Sequence, residues 1–296
     1  MTPPPAKPAP VVALVKGGLG NQMFCYAAGR ALALKHGRDL LLDTVTGFHR
    51  DRYQRAYRLD RFPIFATEAG PECCLGGSTR SWRHRLARAV SKMMPPSRAG
   101  YIIEAADGAA QLDKLRPPPE RTVYLNGYWQ DERCFAAVAD RIRHELVPPL
   151  PTSASGLAAR HRILSATAPV MLHIRRHQYT SRLDATYYIR AIADCLKSER
   201  HARFFVFGDD LDWAREQIDF CGAEADFLDH PGSDEIEDLH LMTCCRHAIV
   251  ANSSFSWWGA WLGHWAGQKV WTAAHPGVKI RPSAAWIPTA NELETG

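Results

Sequence analysis

The chain has 296 residues, 46% of them hydrophobic, and a formal net charge of +5; that length favours two domains of ordinary size, each with its own core. The basic surplus is small and spread over both halves, which excludes a nucleic-acid-binding signature and suits attraction to anionic substrates or a membrane surface. Eight cysteines form no CxxC, and Cys73-Cys74 and Cys244-Cys245 are sequence neighbours, so they read as reduced thiols of a cytosolic protein. No run approaches membrane-spanning length. Met1 to Pro10 is rich in proline and reads as an extended lead-in without a signal-peptide core.

In chain order, 11–15 is an apolar run and predicts a buried strand, followed by the loop Lys16-Gly-Gly-Leu-Gly20, a helix over 21–35 and a second strand over 40–42. Between 43 and 120 the pattern weakens, with one helix in which Trp82, Leu86, Val90 and Met93 share a face. Its other face carries Arg83, Arg88 and Lys92, which reads as a solvated face or as an acceptor or membrane-surface patch. A strand over 122–125 and a helix over 131–146, with Phe135, Val138 and Ile142 inward, complete the first half. The Pro- and Ser-rich stretch 147–156 reads as a linker, which gives domains 11–150 and 155–296. The second half alternates strand and helix: strands over 170–174, 204–207, 248–251 and 270–272, with helices over 186–199, 211–220, 234–245 and 255–265. Such alternation implies a parallel, doubly wound α/β sheet.

In such sheets ligands gather beyond the carboxyl ends of the strands. Three motifs fall there: His173-Ile-Arg-Arg176, Gly208-Asp-Asp210 and Asn252-Ser-Ser254. Arg175 and Arg176 are suited to bidentate grip of a diphosphate, or to a surface salt-bridge cluster. His173 is fixed beside them; the other histidines show no metal-ligand spacing. Ser253 and Ser254 open a helix whose free N–H groups suit phosphate, the alternative being that one serine serves only as the cap. Asp209 and Asp210 can accept from a base or ribose, or hold the arginines. Asp210-Leu-Asp212 is also a DxD, but two arginines make a metal redundant for the same charge. Gly18-Leu-Gly20 with Asp43 has part of a dinucleotide fingerprint, with Met23 where the third glycine belongs. Asn21 and Gln22 place carboxamides at the helix start, where a sugar or phosphate can be touched. The tryptophans of Trp257-Trp-Gly-Ala-Trp261 read as packing.

Taken in order, Gly17-Gly-Leu-Gly-Asn-Gln-Met-Phe24, Gly127-Tyr-Trp-Gln130, His173-Ile-Arg-Arg176, Asp209-Asp-Leu-Asp-Trp213 and Asp238-Leu-His-Leu-Met242 running into Asn252-Ser-Ser-Phe-Ser-Trp-Trp-Gly-Ala-Trp261 resemble the bacterial alpha-1,2-fucosyltransferases, glycosyltransferase family 11. The resemblance implies a GT-B-type fold, two Rossmann-like α/β domains facing each other across a cleft, with an acceptor-side N-terminal domain and a GDP-fucose-binding C-terminal domain. It implies inverting, metal-independent transfer of fucose to a sugar hydroxyl, O2 of a galactoside in a surface glycan or O-antigen, with no cofactor. Carried over, Arg175 contacts the diphosphate, His173 and Arg176 shape the site, and Asp209 or Asp210 addresses the guanosine. Asn252, Ser253 and Ser254 serve the phosphates, and Gly18, Asn21 and Gln22 the fucosyl-diphosphate region. The family carries an acidic residue where this chain has Gln178, so the catalytic base is left to His177 or Asp131. The expected location is cytoplasmic, with peripheral contact at the inner face of the membrane where a lipid-linked acceptor resides. The competing expectations are a transferase for a different GDP-sugar and a non-catalytic GDP-sugar or carbohydrate-binding protein.

Overall fold

The computed structural model describes residues 7–49, 51–75, 81–95, 98–177, 181–229, 234–274, 280–291 and 293–295, and the chain divides after Leu146 into two compact units. The first unit contains β1 (Val11–Leu14), α1 (Leu19–Lys35), β2 (Leu40–Asp43), β3 (Thr67–Glu68) and α2 (Trp82–Lys92). It continues with β4 (Tyr101–Ile103), α3 (Gly108–Asp113), β5 (Val123–Asn126) and α4 (Ala139–Glu145). Its strands form a parallel sheet in the order β3-β2-β1-β5-β4. Central β1 is buried at every position, which is why its sequence is unbroken apolar instead of alternating.

The helix expected over 131–146 is broken. Two 3-10 turns, Glu132–Cys134 and Ala136–Val138, precede the short α4. Asp131 caps the first turn by accepting from the Arg133 N–H at 3.0 Å. Phe135, at φ −140°, leaves helical geometry to bury its ring against Phe24. Ile142 is buried as expected, whereas Val138 is only half-buried. In α2 the expected apolar face exists, but Trp82, Leu86, Val90 and Met93 are all exposed; the helix docks through His84 and Ser91 instead.

The second unit runs α5 (Ala154–Ser165), β6 (Ala168–Ile174), β7 (Ser181–Leu183), α6 (Ala185–Ser198), β8 (Ala202–Gly208), α7 (Leu211–Gln217) and β9 (Ala225–Phe227). Then come α8 (Glu235–Cys244), β10 (His247–Ile249), α9 (Ser254–Gly263), β11 (Val270–Ala273), β12 (Ile287–Thr289) and β13 (Leu293–Thr295). Six strands form a parallel sheet ordered β12-β11-β10-β6-β8-β9, and β13 pairs with β7 apart from it. Successive side chains of a strand alternate faces. Val170, Leu172 and Ile174, with Phe204 and Val206, therefore pack among Tyr187, Tyr188 and Ile192 of α6. Met171, Phe205 and Phe207 face Ile163, Leu241 and Ala260 on the opposite side. The indoles of Trp257, Trp258 and Trp261 are buried, as their helical spacing predicts. All eight cysteines are free.

The stretch expected to be a linker over 147–156 is partly helical, because Ser153 caps α5 by accepting from the Gly156 N–H at 2.9 Å. Glu237 of α8 secures that turn. Its Oε1 accepts from the N–H groups of Thr152 and Ser153 at 2.8 and 3.0 Å, and its Oε2 from the Ser153 hydroxyl at 2.5 Å. These donors hold the carboxyl down to a pKa of about 2, the Ser153 hydroxyl foremost. The folded pKa lies below the unfolded one, so Glu237 contributes stability above its ordinary pKa and loses it as the pH falls towards 2. Glu237→Gln is expected to lower unfolding free energy at pH 7 by about 1.5–3 kcal/mol, with the difference from wild type vanishing as the pH approaches 2; paired urea melts at several pH values check it.

Candidate active site

The loops after β6, β8 and β10 lie at the carboxyl ends of three neighbouring parallel strands, with β6 in the middle. Gly208 ends β8 where a Cβ would come within 2.5 Å of the Ile174 carbonyl oxygen, so only glycine lets the two strand ends approach this closely. Asp209 is thereby placed under the arginine loop. Its Oδ1 accepts the Arg176 N–H at 2.8 Å and its Oδ2 the His177 N–H at 3.1 Å. The Arg175 guanidinium stands 3.1 Å from the same Oδ2. One carboxylate thus fixes the loop backbone and the aim of Arg175.

The two arginines, alike in sequence, differ in place. Arg176 is 9% exposed; its guanidinium lies 3.8 Å over the Trp213 ring, and its Nε is 3.6 Å from Asp210 Oδ2. Asp210 also caps α7 by accepting from the Trp213 N–H at 3.2 Å. Arg176 and Asp210 therefore serve as framework. The Arg175 side chain keeps 29% of its surface, and Arg175 is the member of the pair presented outward. Asp212, the other end of the DxD, is 89% exposed and pairs with Arg215 at 2.6 Å, so the two carboxylates serve different partners. Among the described residues no cluster of three or more His, Cys, Asp or Glu could hold a metal ion.

His173 is buried and its ring packs on Phe255, in the first turn of α9. Burial, helped by Arg175, pushes its pKa down to about 3, so the imidazole is neutral at physiological pH. Its Nδ1 has no hydrogen-bond partner among the described residues. Ser253 is the cap of α9, its hydroxyl accepting from the Phe255 N–H at 3.3 Å. Asn252 and Ser254 are buried beside it. The first-turn N–H groups of α9 thus sit at the same edge as Arg175, a pairing suited to an anion.

Sequence reasoning gave Asp238 no role of its own. It lies in the first turn of α8, at the carboxyl edge of the same sheet. Its Oδ1 is buried without a partner among the described residues. Burial first, then Glu237 and Glu235, raise its pKa to about 7. A carboxyl with an unsatisfied acceptor at the carboxyl edge of the sheet is a candidate binding group, and no local spacing announces it.

In the first unit, the glycine loop and the Gly127-Tyr-Trp-Gln130 loop follow the adjacent strands β1 and β5. Glu104 holds the second loop, accepting the N–H groups of Tyr128 and Trp129 at 2.7 and 2.9 Å. A Cβ on Gly127 would meet Glu104 Cβ at 2.4 Å, and Trp129 takes the left-handed φ of +57° while buried. The outcome is that Gln130 donates to Asn21 Oδ1 at 2.7 Å. Lys16 donates to Asn126 Oδ1 at 2.9 Å and lies over the Tyr128 ring. Asn21 and Gln130 thus form a carboxamide pair near a cation and an aromatic ring. Gln22, expected to touch substrate, is 1% exposed. It donates to Gly17 O and Ala56 O and accepts from the Arg58 N–H, so it is a clasp of the loop and not a contact for ligand. Gly18 is the N-cap of α1, and among the described residues a Cβ there would meet only Arg55 Nε, at 3.9 Å. Asp131 is gripped by Arg133 through both oxygens; His177 is 63% exposed, and Gln178 lies outside the described residues.

Residues 106–278 match the model of glycosyl transferase family 11. An alpha-1,2-colitosyltransferase of Escherichia coli is 30% identical over 266 residues, spanning 85% of this chain and 87% of that relative. A galactoside alpha-(1,2)-fucosyltransferase 1 of Lagothrix lagotricha is 26% identical over 292 residues, spanning 92% of this chain and 71% of the relative. In fold, the chain is similar to the fucosyltransferase NodZ from Bradyrhizobium, with a TM-score of 0.54 at 13% identity over 86% of this chain and 93% of that one. A structure of NodZ alpha-1,6-fucosyltransferase co-crystallized with GDP gives 0.52 at 13% identity, covering 86% and 92%. Two parallel α/β units of GT-B type, the ordered motifs and these relatives agree: the chain belongs to glycosyl transferase family 11.

Proposed function

We propose that this glycosyltransferase moves L-fucose from GDP-β-L-fucose to a sugar hydroxyl, O2 of a galactoside in a surface glycan, with inversion and without a metal ion. The observation that carries the reading is Arg175, held by Asp209 and presented outward at the strand edge where α9 begins. As the bond from fucose C1 to the diphosphate oxygen lengthens, charge builds on GDP. The Arg175 fork and the first-turn N–H groups of α9 stabilise that charge, and no reorganisation is needed because Asp209 has already set the loop. The acceptor oxygen attacks C1 from the opposite face. Its proton passes to His177, whose Nδ1 lies 4.0 Å from Asp209 Oδ1, while GDP leaves with the electron pair of the broken bond. Asp238 accepts from the N–H donors of the guanine.

A second donor is favoured by one observation, the relative that is a colitosyltransferase. Colitose is L-fucose without its 3-hydroxyl. A site that hydrogen-bonds that hydroxyl rejects the deoxy sugar by about 10⁴–10⁵, so GDP-fucose and GDP-colitose offered side by side, with chelator and a galactoside acceptor, decide the donor. Acceptor-dependent release of GDP from GDP-fucose in the presence of chelator supports the proposal. Loss of release on chelation, or binding of GDP without release, refutes it.

Substitutions separate grip from framework. Arg175→Ala and Arg175→Lys are expected to lower turnover by about 10²–10³ with melting temperature unchanged, whereas Arg176→Ala is expected to lower the melting temperature itself. Turnover near wild type in Arg175→Ala contradicts the assignment. For Asp238 the folded pKa lies above the unfolded one, so its contribution to stability is present below about pH 4 and is lost as pH rises through 7. Asp238→Asn is therefore expected to melt above wild type at pH 8 and level with it at pH 4, while binding GDP at least about tenfold more weakly at pH 8; calorimetry at both pH values checks each arm.

A further inference from the structure

Helix α2 reverses the usual arrangement of an amphipathic helix, whose apolar stripe faces the core. Trp82, Leu86, Val90 and Met93 are 71, 56, 49 and 88% exposed. They stand at i, i+4, i+8 and i+11, so they form one stripe and not scattered single residues. The opposite side anchors the helix through polar contacts. His84, 2% exposed, lies 3.0 Å from the Tyr101 hydroxyl, and Ser91 Oγ accepts the Tyr101 N–H at 2.8 Å. His84 also packs edge-on against Tyr101 and Tyr124. The anchor holds the helix through its polar side and leaves the apolar stripe exposed.

The charge around the stripe selects what covers it. The helix sequence carries Arg83, Arg85, Arg88 and Lys92 and no carboxylate. Arg85 and Arg88 are exposed, and they enter no ion pair among the described residues. Arg83 is oriented by the carbonyl oxygens of Pro71 and Glu72. Beside the stripe runs an open groove of about 710 Å³, lined by Trp82, Leu86, Val90, Tyr101, Arg121 and Tyr124, with Glu72 and Glu120 as its carboxylates. A second copy of the chain laid stripe to stripe would bring two arginine clusters together. Eleven residues reach about 16 Å, far short of the roughly 30 Å of a bilayer core, and no helix of the described residues is long and apolar enough to cross a membrane. An apolar stripe with a tryptophan at one end, flanked by arginines, fits the boundary of an anionic bilayer, where apolar side chains enter the acyl region and guanidiniums meet headgroup phosphates.

We infer that α2 is the membrane-docking element of this protein and that its partner is a lipid surface rich in anionic phospholipid. The inference is independent of the donor, because lipid vesicles carry no glycan. The full chain is mixed with phosphatidylcholine vesicles with and without phosphatidylglycerol, and the bound fraction is read by co-sedimentation. Expected are binding to the anionic vesicles, weakening with added salt, and a blue shift of tryptophan emission that Trp82→Phe removes. Leu86→Glu with Val90→Glu is expected to reduce partitioning at least about tenfold, and Arg85→Glu with Arg88→Glu by roughly fivefold or more per arginine. Because all four side chains are exposed, both double variants are expected to keep the wild-type melting temperature and the wild-type rate on a water-soluble acceptor. The inference is overturned if the chain ignores anionic vesicles. It is equally overturned if the glutamate variants bind like wild type, or if the wild type is a dimer that Leu86→Glu with Val90→Glu disperses.

Discussion

The second unit depends on one carboxylate placed beneath one loop. Asp209 accepts two consecutive backbone N–H groups and faces Arg175 with the same oxygen that accepts from His177. A guanidinium has about five donors and a long stem that loses rotamer freedom when ordered. Meeting that cost before a ligand arrives is what the proposed role of Arg175 in preorganised anion binding requires. The arrangement also separates labour within a pair that looks redundant. Arg176, stacked on Trp213 and set against Asp210, supports the turn from which Arg175 projects. It does so from a site too enclosed to offer a ligand much surface.

The first unit repeats the device. Glu104 accepts two consecutive N–H groups of the Gly127–Gln130 loop, forcing Trp129 to a positive φ that a bulky residue adopts only under constraint. The strain is offset by burying the indole, and its effect is to aim Gln130 at Asn21. In both units a buried or half-buried carboxylate fixes backbone, and the backbone in turn aims the side chain of interest. Glu237 does the same for the first turn of α5 without aiming a side chain there, so the device belongs to the construction of the protein and is not by itself a mark of a site.

How much of this was legible in the sequence follows from the range of each interaction. Strand and helix alternation in the second half is written in local periodicity, and placing three motifs at one sheet edge required only the parallel topology. The roles inside that edge were not legible. Arg175 and Arg176 are neighbours in a loop, where no periodicity tells which points out; the answer lies in Trp213, 37 positions beyond Arg176. Gln22 looked like a substrate contact because a carboxamide at a helix start is ambiguous until Ala56 and Arg58 are seen to close on it. Glu104 and Asp238 acquire meaning only from partners, or the lack of one, set by tertiary packing. In α2 the shared face of Trp82, Leu86, Val90 and Met93 follows from the period, and its exposure does not. Apolar residues repeating at helical spacing define a stripe on the helix surface, and whether that stripe meets core or surroundings depends here on the small polar anchor formed by His84 and Ser91.

The charge state of His173 bears on the proposal that this edge holds a nucleotide diphosphate. A protonated imidazole would be a buried cation next to the Arg175 guanidinium, and burial opposes it strongly enough to bring the pKa to about 3. With His173 neutral, the positive field at the strand edge comes from a guanidinium and the helix start of α9. Such a field senses phosphate charge and not the identity of the sugar, which fits relatives in one family that are named for fucose and for colitose. Discrimination between sugars differing by one hydroxyl needs hydrogen-bonding groups whose partners would otherwise be left unsatisfied. The Asn21–Gln130 pair of the first unit, held beside the loop that Glu104 fixes, has that chemistry.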